Sequence, residues 1–409
     1  MENKQPQAVI LSMTRDGEKL CAAGGRISTQ PGDAIEIWNH SQDEEKNSRL
    51  IQKVTRSGHN SVVEHVCFHL AFQNVSVMVE QFMIEFRLAS FTVKSRRYVD
   101  FSSAGYYMPE GLDDALTQTY TTHMEALFAD YQYLIEHDVP KEDARFVLPY
   151  CFCSNFYCTL NGRELLHVLH AMLCGRGSRF PEIVLIGRQL LEQARAMAPG
   201  VFAAFEEGQA SVADSLDLSD LPSLPEGAHV LPHGYQFAEL LAATPDAAKC
   251  VARTALIEGT QLPGDEINKV LSDAKIRAEI LRRVIASSRP RALENISFTF
   301  RLNGVSLPCI THIVRHRMQS VMIPPLTETD RTHKIIPPSI RKQSDCLARY
   351  EAAFHRNAAL YQKLHGEGVS KETLVYFLLS GNTLDVVTTM NARELLLFLR
   401  LRTCSRAQW

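Results

Sequence analysis

The stretch TLNGRELLHVLHAMLCGRG beginning at Thr159 returns as TMNARELLLFLRLRTCSRAQW beginning at Thr389, and this recurrence constrains the fold more than any other feature. The shared N-x-R-E-L-L sets Arg163 against Arg393, 230 positions later. The same spacing joins Arg87 to Arg317, Ser90 to Ser320 and Glu64 to Glu294. One register held across four separated segments marks an internal duplication, so the chain should build one plan twice. Its 409 residues suit two domains of ordinary size. Between the copies, residues 206–234 are acidic, carry three Pro and lack apolar periodicity, the composition of a linker. The expected domains are therefore 1–205 and 235–409.

Each copy repeats one order of elements. A helical region is expected first, seen in DEINKVLSDAKIRAEILRRVIASS of the second copy. Alternating, β-patterned segments follow, VCFHLAFQNVSVMVEQF and ISFTFRLNGVSLPCITHIV. A basic segment, a Pro-bearing loop and further helices complete the copy. Strands followed by helices predict an α+β fold rather than alternating βαβ units, and no GxGxxG follows a strand.

Composition narrows the function. Apolar residues are 45% and charged residues 22%, with a net charge of −3, which excludes broad, salt-dependent nucleic-acid binding and makes any cationic site local. No apolar run reaches the ~18 residues of a membrane span, and the N-terminus lacks a signal-peptide pattern. Ten scattered cysteines with no CxxC fit reduced thiols, so the cytoplasm is the expected compartment and no membrane partner is expected. His65/His69 and His312/His316 fall in β-patterned segments, where residues four apart are roughly 13 Å apart, too far to share a metal. His167 and His170 read as amphipathic-helix residues, and no metal site is expected. IVRHRMQSV sets Arg315, His316 and Arg317 in a row, a run that asks for an anionic partner.

Three motifs in order, G-H-x-S-x-x-E-H, S-x-R-Y with R-H-R, and N-x-R-x-L-L through L-R to A-Q-W, resemble the flavin-dependent thymidylate synthases, the ThyX family. The resemblance spans nearly all of both halves. It implies two ThyX-like domains, each a mainly antiparallel sheet with packed helices, arranged as a pseudodimer. It also implies C5 methylation or a related alkylation of a pyrimidine nucleotide, with deoxyuridylate the leading substrate and FAD the cofactor. NADPH and methylenetetrahydrofolate are the implied co-substrates. Family members are homotetramers with sites between subunits, so a homodimer making a tetramer-like, four-domain assembly is the implied partner state.

Neither copy is complete. The first keeps His59, Ser61, Glu64 and His65, then Ser95, Arg97 and Tyr98, and Arg145; but Glu85-Phe86-Arg87 replaces R-H-R and Met172 replaces the late arginine. The second keeps Arg315-His316-Arg317, Ser320, Asn391, Arg393, Arg402 and the closing A-Q-W; but Pro325 and Thr327 replace Ser and Arg of S-x-R-Y, and Leu374 is taken to stand for Arg145. In the family, one subunit supplies R-H-R and the late Arg while its neighbour supplies S-x-R-Y and the middle Arg. The losses are thus complementary: one composite site could be whole. Its twin would combine Glu85, Met172, Thr327 and Leu374, a carboxylate with no guanidinium to replace it.

The resemblance assigns Ser95, Arg97 and Arg145 to the nucleotide phosphate, with His312 (where the family has glutamine) and Arg315 also on the nucleotide. Guanidinium forks suit a phosphomonoester because their bonds to it are charge-assisted. Arg402 is placed beside the uracil, where a fixed cation stabilises the anion that makes C5 nucleophilic. Arg402, Arg317 and His316 are the expected catalytic set. Cofactor contacts are expected from His59, Ser61, Arg315, His316, Arg317, Asn161, Arg163, Asn391 and Arg393. The family's Asn-Glu pair is missing from both halves, as Thr92-Val93 and Met322-Ile323. A nucleotide-binding regulator that has lost flavin is therefore the alternative reading.

Overall fold

The computed structural model describes residues 5–207 and 237–403. Residues 208–234 of the expected linker and the closing residues 406–409 lie outside the described residues. The duplication is plain in the backbone. Strands β1 (Gln7–Met13), β2 (Cys67–Ser76), β3 (Ser90–Val93) and β4 (Cys153–Asn161) form one antiparallel sheet in the order β1-β2-β4-β3. Strands β5 (Ala238–Ala243), β6 (Ser297–Ser306), β7 (Gln319–Met322) and β8 (Thr383–Asn391) form a second in the order β5-β6-β8-β7. Cys67 pairs with Asn161 and Ser297 with Asn391, one register in two places. Both registers break just before Val75 and Val305, and the left-handed residue there is Asn74 (φ 54°) in one sheet and Gly304 (φ 60°) in the other. Those are residue types that tolerate positive φ, so the bulge is kept by different means. Two sheets with many helices make the chain α+β, as the pattern predicts.

Two local expectations are corrected. Each copy opens on a strand, β1 or β5, before its helices. These six- and seven-residue runs are too short for periodicity to classify. The free edge of β1 is covered by side-chain amides from the helix Pro181–Met197: Ala8 N donates to Gln189 Oε1 (2.8 Å) and Ile10 N to Gln193 Oε1 (2.9 Å). The second correction concerns the β-patterned segments, which turn helical halfway. Ser76 caps the helix Val77–Ile84 by accepting from Val79 N (3.2 Å), and Leu307–Ile313 begins with Pro308 in its first turn. Every residue of Val77–Ile84 is buried, so no polar stripe betrays the helix in the sequence.

The packing does not follow the repeat boundary. One compact unit is Met1–Ala228 with Lys334–Asn382, and the other is His229–His333 with Thr383–Trp409. In the first unit the equivalent helices Asp114–Glu136 and Ser344–Gly366 pack together. Buried Asp130 binds Arg349 Nε (2.5 Å) and Arg356, and the His123 ring meets Asn357 Oδ1 (2.9 Å). The loops that precede β4 and β8 exchange matched bonds: Tyr150 N donates to Leu378 O (2.7 Å), and Ser380 N to Leu148 O (2.9 Å). A shift of 230 positions turns each of these bonds into the other. The apolar runs Phe146–Phe152 and Tyr376–Leu379 are both buried and are bridged at Pro149 and Leu379, with the Tyr376 and Phe377 rings against Tyr107 and Tyr120 of the first copy.

Glu182 ties this shared core. Its carboxylate is fully buried and accepts from Ser76 N (2.7 Å), Ser76 Oγ (2.6 Å) and Tyr376 OH (2.9 Å). Burial pushes its pKa from 4.5 to about 7, outweighing those three donors. A raised folded value means the folded state holds the proton more tightly than the unfolded chain. The contribution is fully present below pH ~4.5 and is lost as pH rises through about 7. Wild-type stability should therefore fall by on the order of 1–3 kcal/mol between pH 5 and pH 8 from this group, and Glu182→Gln should remove that part of the slope. Urea midpoints for both proteins at both pH values measure it; parallel slopes would contradict the assignment.

Candidate functional site

The first unit gathers guanidinium groups. β3 leads into Ser95, Arg96 and Arg97, and the turn Arg145–Val147 brings Arg145 beside them. Arg97 Nε meets Glu142 Oε2 at 2.5 Å, and Arg145 Nε donates to Glu142 O at 3.0 Å. Ser95 Oγ accepts from Arg97 N (3.3 Å), which fixes the chain at the serine. Arg96 is buried, with its charge met by Glu80 Oε1 at 2.5 Å. Ser154 Oγ donates to the other oxygen of Glu80. Arg96 and Arg97 each pair with a carboxylate, and Arg145 meets a backbone carbonyl. Arg145 is 4% exposed, and burial, then Arg96, push its pKa down to about 9. It stays charged at neutral pH, with burial as the main cause of the depression and the neighbouring guanidiniums of Arg96 and Arg97 adding to it against Glu142 and Glu80.

The second unit holds a different constellation. His316 is buried between exposed Arg315 and exposed Arg317. Its Nδ1 meets Glu394 Oε1 at 2.8 Å, and its Nε2 accepts from Arg402 Nε at 3.0 Å. Arg402 also donates from a terminal nitrogen to His312 O at 3.0 Å, so His312 contributes its carbonyl here. The Phe398 ring lies against His316, centroids 4.8 Å apart. Burial first, and then Arg402, hold the imidazole below its ordinary pKa, while Glu394 pulls the other way. This corrects the reading of three cations in a row: His316 is turned inward and neutral at pH 7. Both its ring nitrogens are engaged, one by Glu394 and the other by Arg402.

The residues assigned to the cofactor lie at the sheet ends. His59 and Ser61 are exposed around the turn Asn60–His65. Asn161 and Asn391 each accept from a glutamate N–H (2.9 Å to Glu164 N and to Glu394 N), capping the N-x-R-E-L-L helices. Arg163 pairs with Glu64 (2.6 Å) and Arg393 with Glu294 (2.5 Å), again one arrangement built twice.

In the first copy the equivalents of His316 and Arg402 are Phe86 and Met172, both buried. Glu85 is ion-paired with Arg176, whose guanidinium covers the Phe82 and Phe86 rings at 4.8 and 5.7 Å. The partner of the Glu85 carboxylate thus comes from the segment just after the helix Gly162–Leu173. A second correction concerns Arg145. The matching turns are Arg145–Val147 and Val375–Phe377, so its equivalent is buried Val375, not Leu374. Sequence reasoning also missed Glu394 and Glu142. Glu394 lies three residues after an Asn cap, where a glutamate usually signifies only a capping box. Glu142 lies three residues before Arg145, a spacing that could have flagged it.

A family model described as "Thymidylate synthase complementing protein" matches residues 9–200 and 239–409, once per repeat. The flavin-dependent thymidylate synthase of Nitratidesulfovibrio vulgaris is 30% identical over 217 residues, covering 50% of this chain and 88% of that protein. The flavin-dependent thymidylate synthase of Sulfurisphaera tokodaii is 34% identical over 206 residues, covering 47% of this chain and 75% of that protein. A crystal structure of a UMP/dUMP methylase PolB from Streptomyces cacaoi, bound with 5-Br dUMP, aligns at 23% identity with a TM-score of 0.43, over 50% of this chain and 96% of that one. Matched along both repeats, the chain belongs to the thymidylate synthase complementing protein family, as a tandem homologue of the flavin-dependent thymidylate synthases.

Proposed function

We propose that this chain methylates, or similarly alkylates, C5 of a pyrimidine nucleotide, deoxyuridylate first, at one composite site drawn from both repeats. The repeats, 1–205 and 235–409, are taken as the two domains of a pseudodimer, and two chains as a tetramer-like homodimer. The matched bonds between the loops preceding β4 and β8 support the pseudodimer. The observation that carries the functional reading is the division of labour: the clustered guanidiniums of Arg96, Arg97 and Arg145 in one repeat, and an Arg402 oriented by His316 in the other.

Ser95, Arg97 and Arg145 bind the nucleotide phosphate in this reading, displacing part of the Glu142 interaction. Arg402 meets the uracil as negative charge develops on the ring, and its orientation is fixed before substrate arrives. Arg315 and Arg317, exposed on either side of His316, are the donors suited to an anionic cofactor, and the second unit's donor set fits FAD in that respect. Arg163, Arg393, Asn161, Asn391, His59 and Ser61 would hold its remaining polar groups. Bound reduced FAD supplies hydride, with methylenetetrahydrofolate as carbon donor and NADPH as reductant. The first copy, closed by Arg176 over Phe82 and Phe86, supports one working site over two.

Purified protein titrated with FAD and assayed for thymidylate formation with the three co-substrates tests this. A flavin spectrum with turnover is expected. Deoxyuridylate binding by a colourless protein that never takes FAD would establish the flavin-free regulator, and no binding of either would end the reading. A control distinguishes the repeats: Met172→Ala should leave turnover per folded molecule within about twofold, while costing ~2–4 kcal/mol of stability because Met172 is fully buried. Thermal denaturation and initial rates on the same sample measure both.

A further inference from the structure

We infer that Glu394 is the positioning residue of the second repeat's site: it selects the His316 tautomer and thereby aims Arg402. A neutral imidazole has one N–H and one lone pair. A carboxylate only accepts, so Glu394 Oε1 at 2.8 Å requires the proton on Nδ1. Nε2 is then the acceptor that Arg402 Nε needs at 3.0 Å. With the opposite tautomer two N–H groups would face each other at that distance, and Arg402 Nε would lose this acceptor. The His312 carbonyl accepts from a terminal nitrogen, so the His316 contact is what sets the Nε edge.

Glu394 and His316 are both about 5% exposed, so water does not compete for these bonds. The first repeat provides the internal comparison. Glu164 occupies the equivalent buried place, but Phe86 and Met172 replace the imidazole and the guanidinium, and among the described residues its carboxylate meets His167 at 3.5 Å. The same carboxylate persists there with nothing to aim.

This inference rests on the proposed function for its consequence, since Arg402 is taken to meet the pyrimidine, but its geometry can be tested without ligand. Protein carrying ¹⁵N-histidine, with His316 assigned by its loss in His316→Gln, reports the tautomer directly. Wild type should show Nδ1–H. Glu394→Ala should shift His316 toward Nε2–H, whereas Glu394→Gln, whose amide oxygen still accepts from Nδ1, should keep the wild-type pattern. Turnover should fall at least about tenfold in Glu394→Ala, with deoxyuridylate affinity changing much less, and recover to within about threefold in Glu394→Gln. Glu164→Ala should leave turnover per folded molecule unchanged, which separates aiming from general loss of a buried glutamate. An Nε2–H tautomer in wild type, or an unaltered tautomer in Glu394→Ala, overturns the inference. A wild-type protein with the expected tautomers that fails to bind deoxyuridylate overturns the proposed function alone.

Discussion

Arg402→Ala is expected to lower turnover about 10²–10³-fold while changing the apparent affinity for deoxyuridylate much less. The asymmetry follows from when the charge is needed. The ground-state uracil is neutral, and charge accumulates on it only as C5 becomes a nucleophile, so a cation beside the ring acts mainly on the transition state. Arg402 is suited to that work because it does not need to reorganise: Nε is fixed by His316 and a terminal nitrogen by the His312 carbonyl. Arg402→Lys should recover little, since one ammonium cannot span both acceptors. Steady-state kinetics of both variants, normalised to folded protein, provide the check. Turnover within about threefold of wild type in Arg402→Ala would remove this residue from the chemistry.

Much of this architecture was legible because duplication lets one copy annotate the other. Arg163 and Arg393, in matching motifs, do make matching ion pairs with Glu64 and Glu294. Complementary loss was likewise visible one position at a time. What sequence hid was long-range. Arg96 and Arg97 are adjacent and chemically identical, yet Glu80, sixteen residues away, takes the first into the core and leaves the second at the rim. His316 reads as one of three cations, and only its burial and the Arg402 guanidinium, 86 residues later, make it a neutral acceptor, with Glu394 on its other nitrogen. The helix Val77–Ile84 was hidden for a different reason. Full burial removes the polar face on which helical periodicity depends. The exchange of Lys334–Asn382 into the first unit had no local signature, because its driving force is apolar surface supplied by the other copy.

The phosphate clamp yields the second large effect, and it should appear in binding instead of in turnover. Arg97→Ala is expected to raise the dissociation constant for deoxyuridylate by about 10–100-fold, and Arg145→Ala by about 10²–10³-fold. Arg145 carries the larger effect for an electrostatic reason. It is nearly buried, and Arg96 and Arg97 already depress its pKa, so an anion gains more from it than from the half-exposed Arg97. Removing Arg145 also frees positive-charge repulsion in the apo protein, so the variant should fold at least as well as its lost packing allows; Arg145→Met, which keeps the volume, separates those effects. The decisive comparison is with deoxyuridine, which has the base and sugar but no phosphate. Isothermal titration should show the nucleotide's advantage over the nucleoside collapsing in both variants and surviving in Arg402→Ala. Should the variants weaken nucleoside and nucleotide alike, Arg97 and Arg145 are not facing a phosphate, and the guanidinium cluster beside Glu142 serves the fold alone.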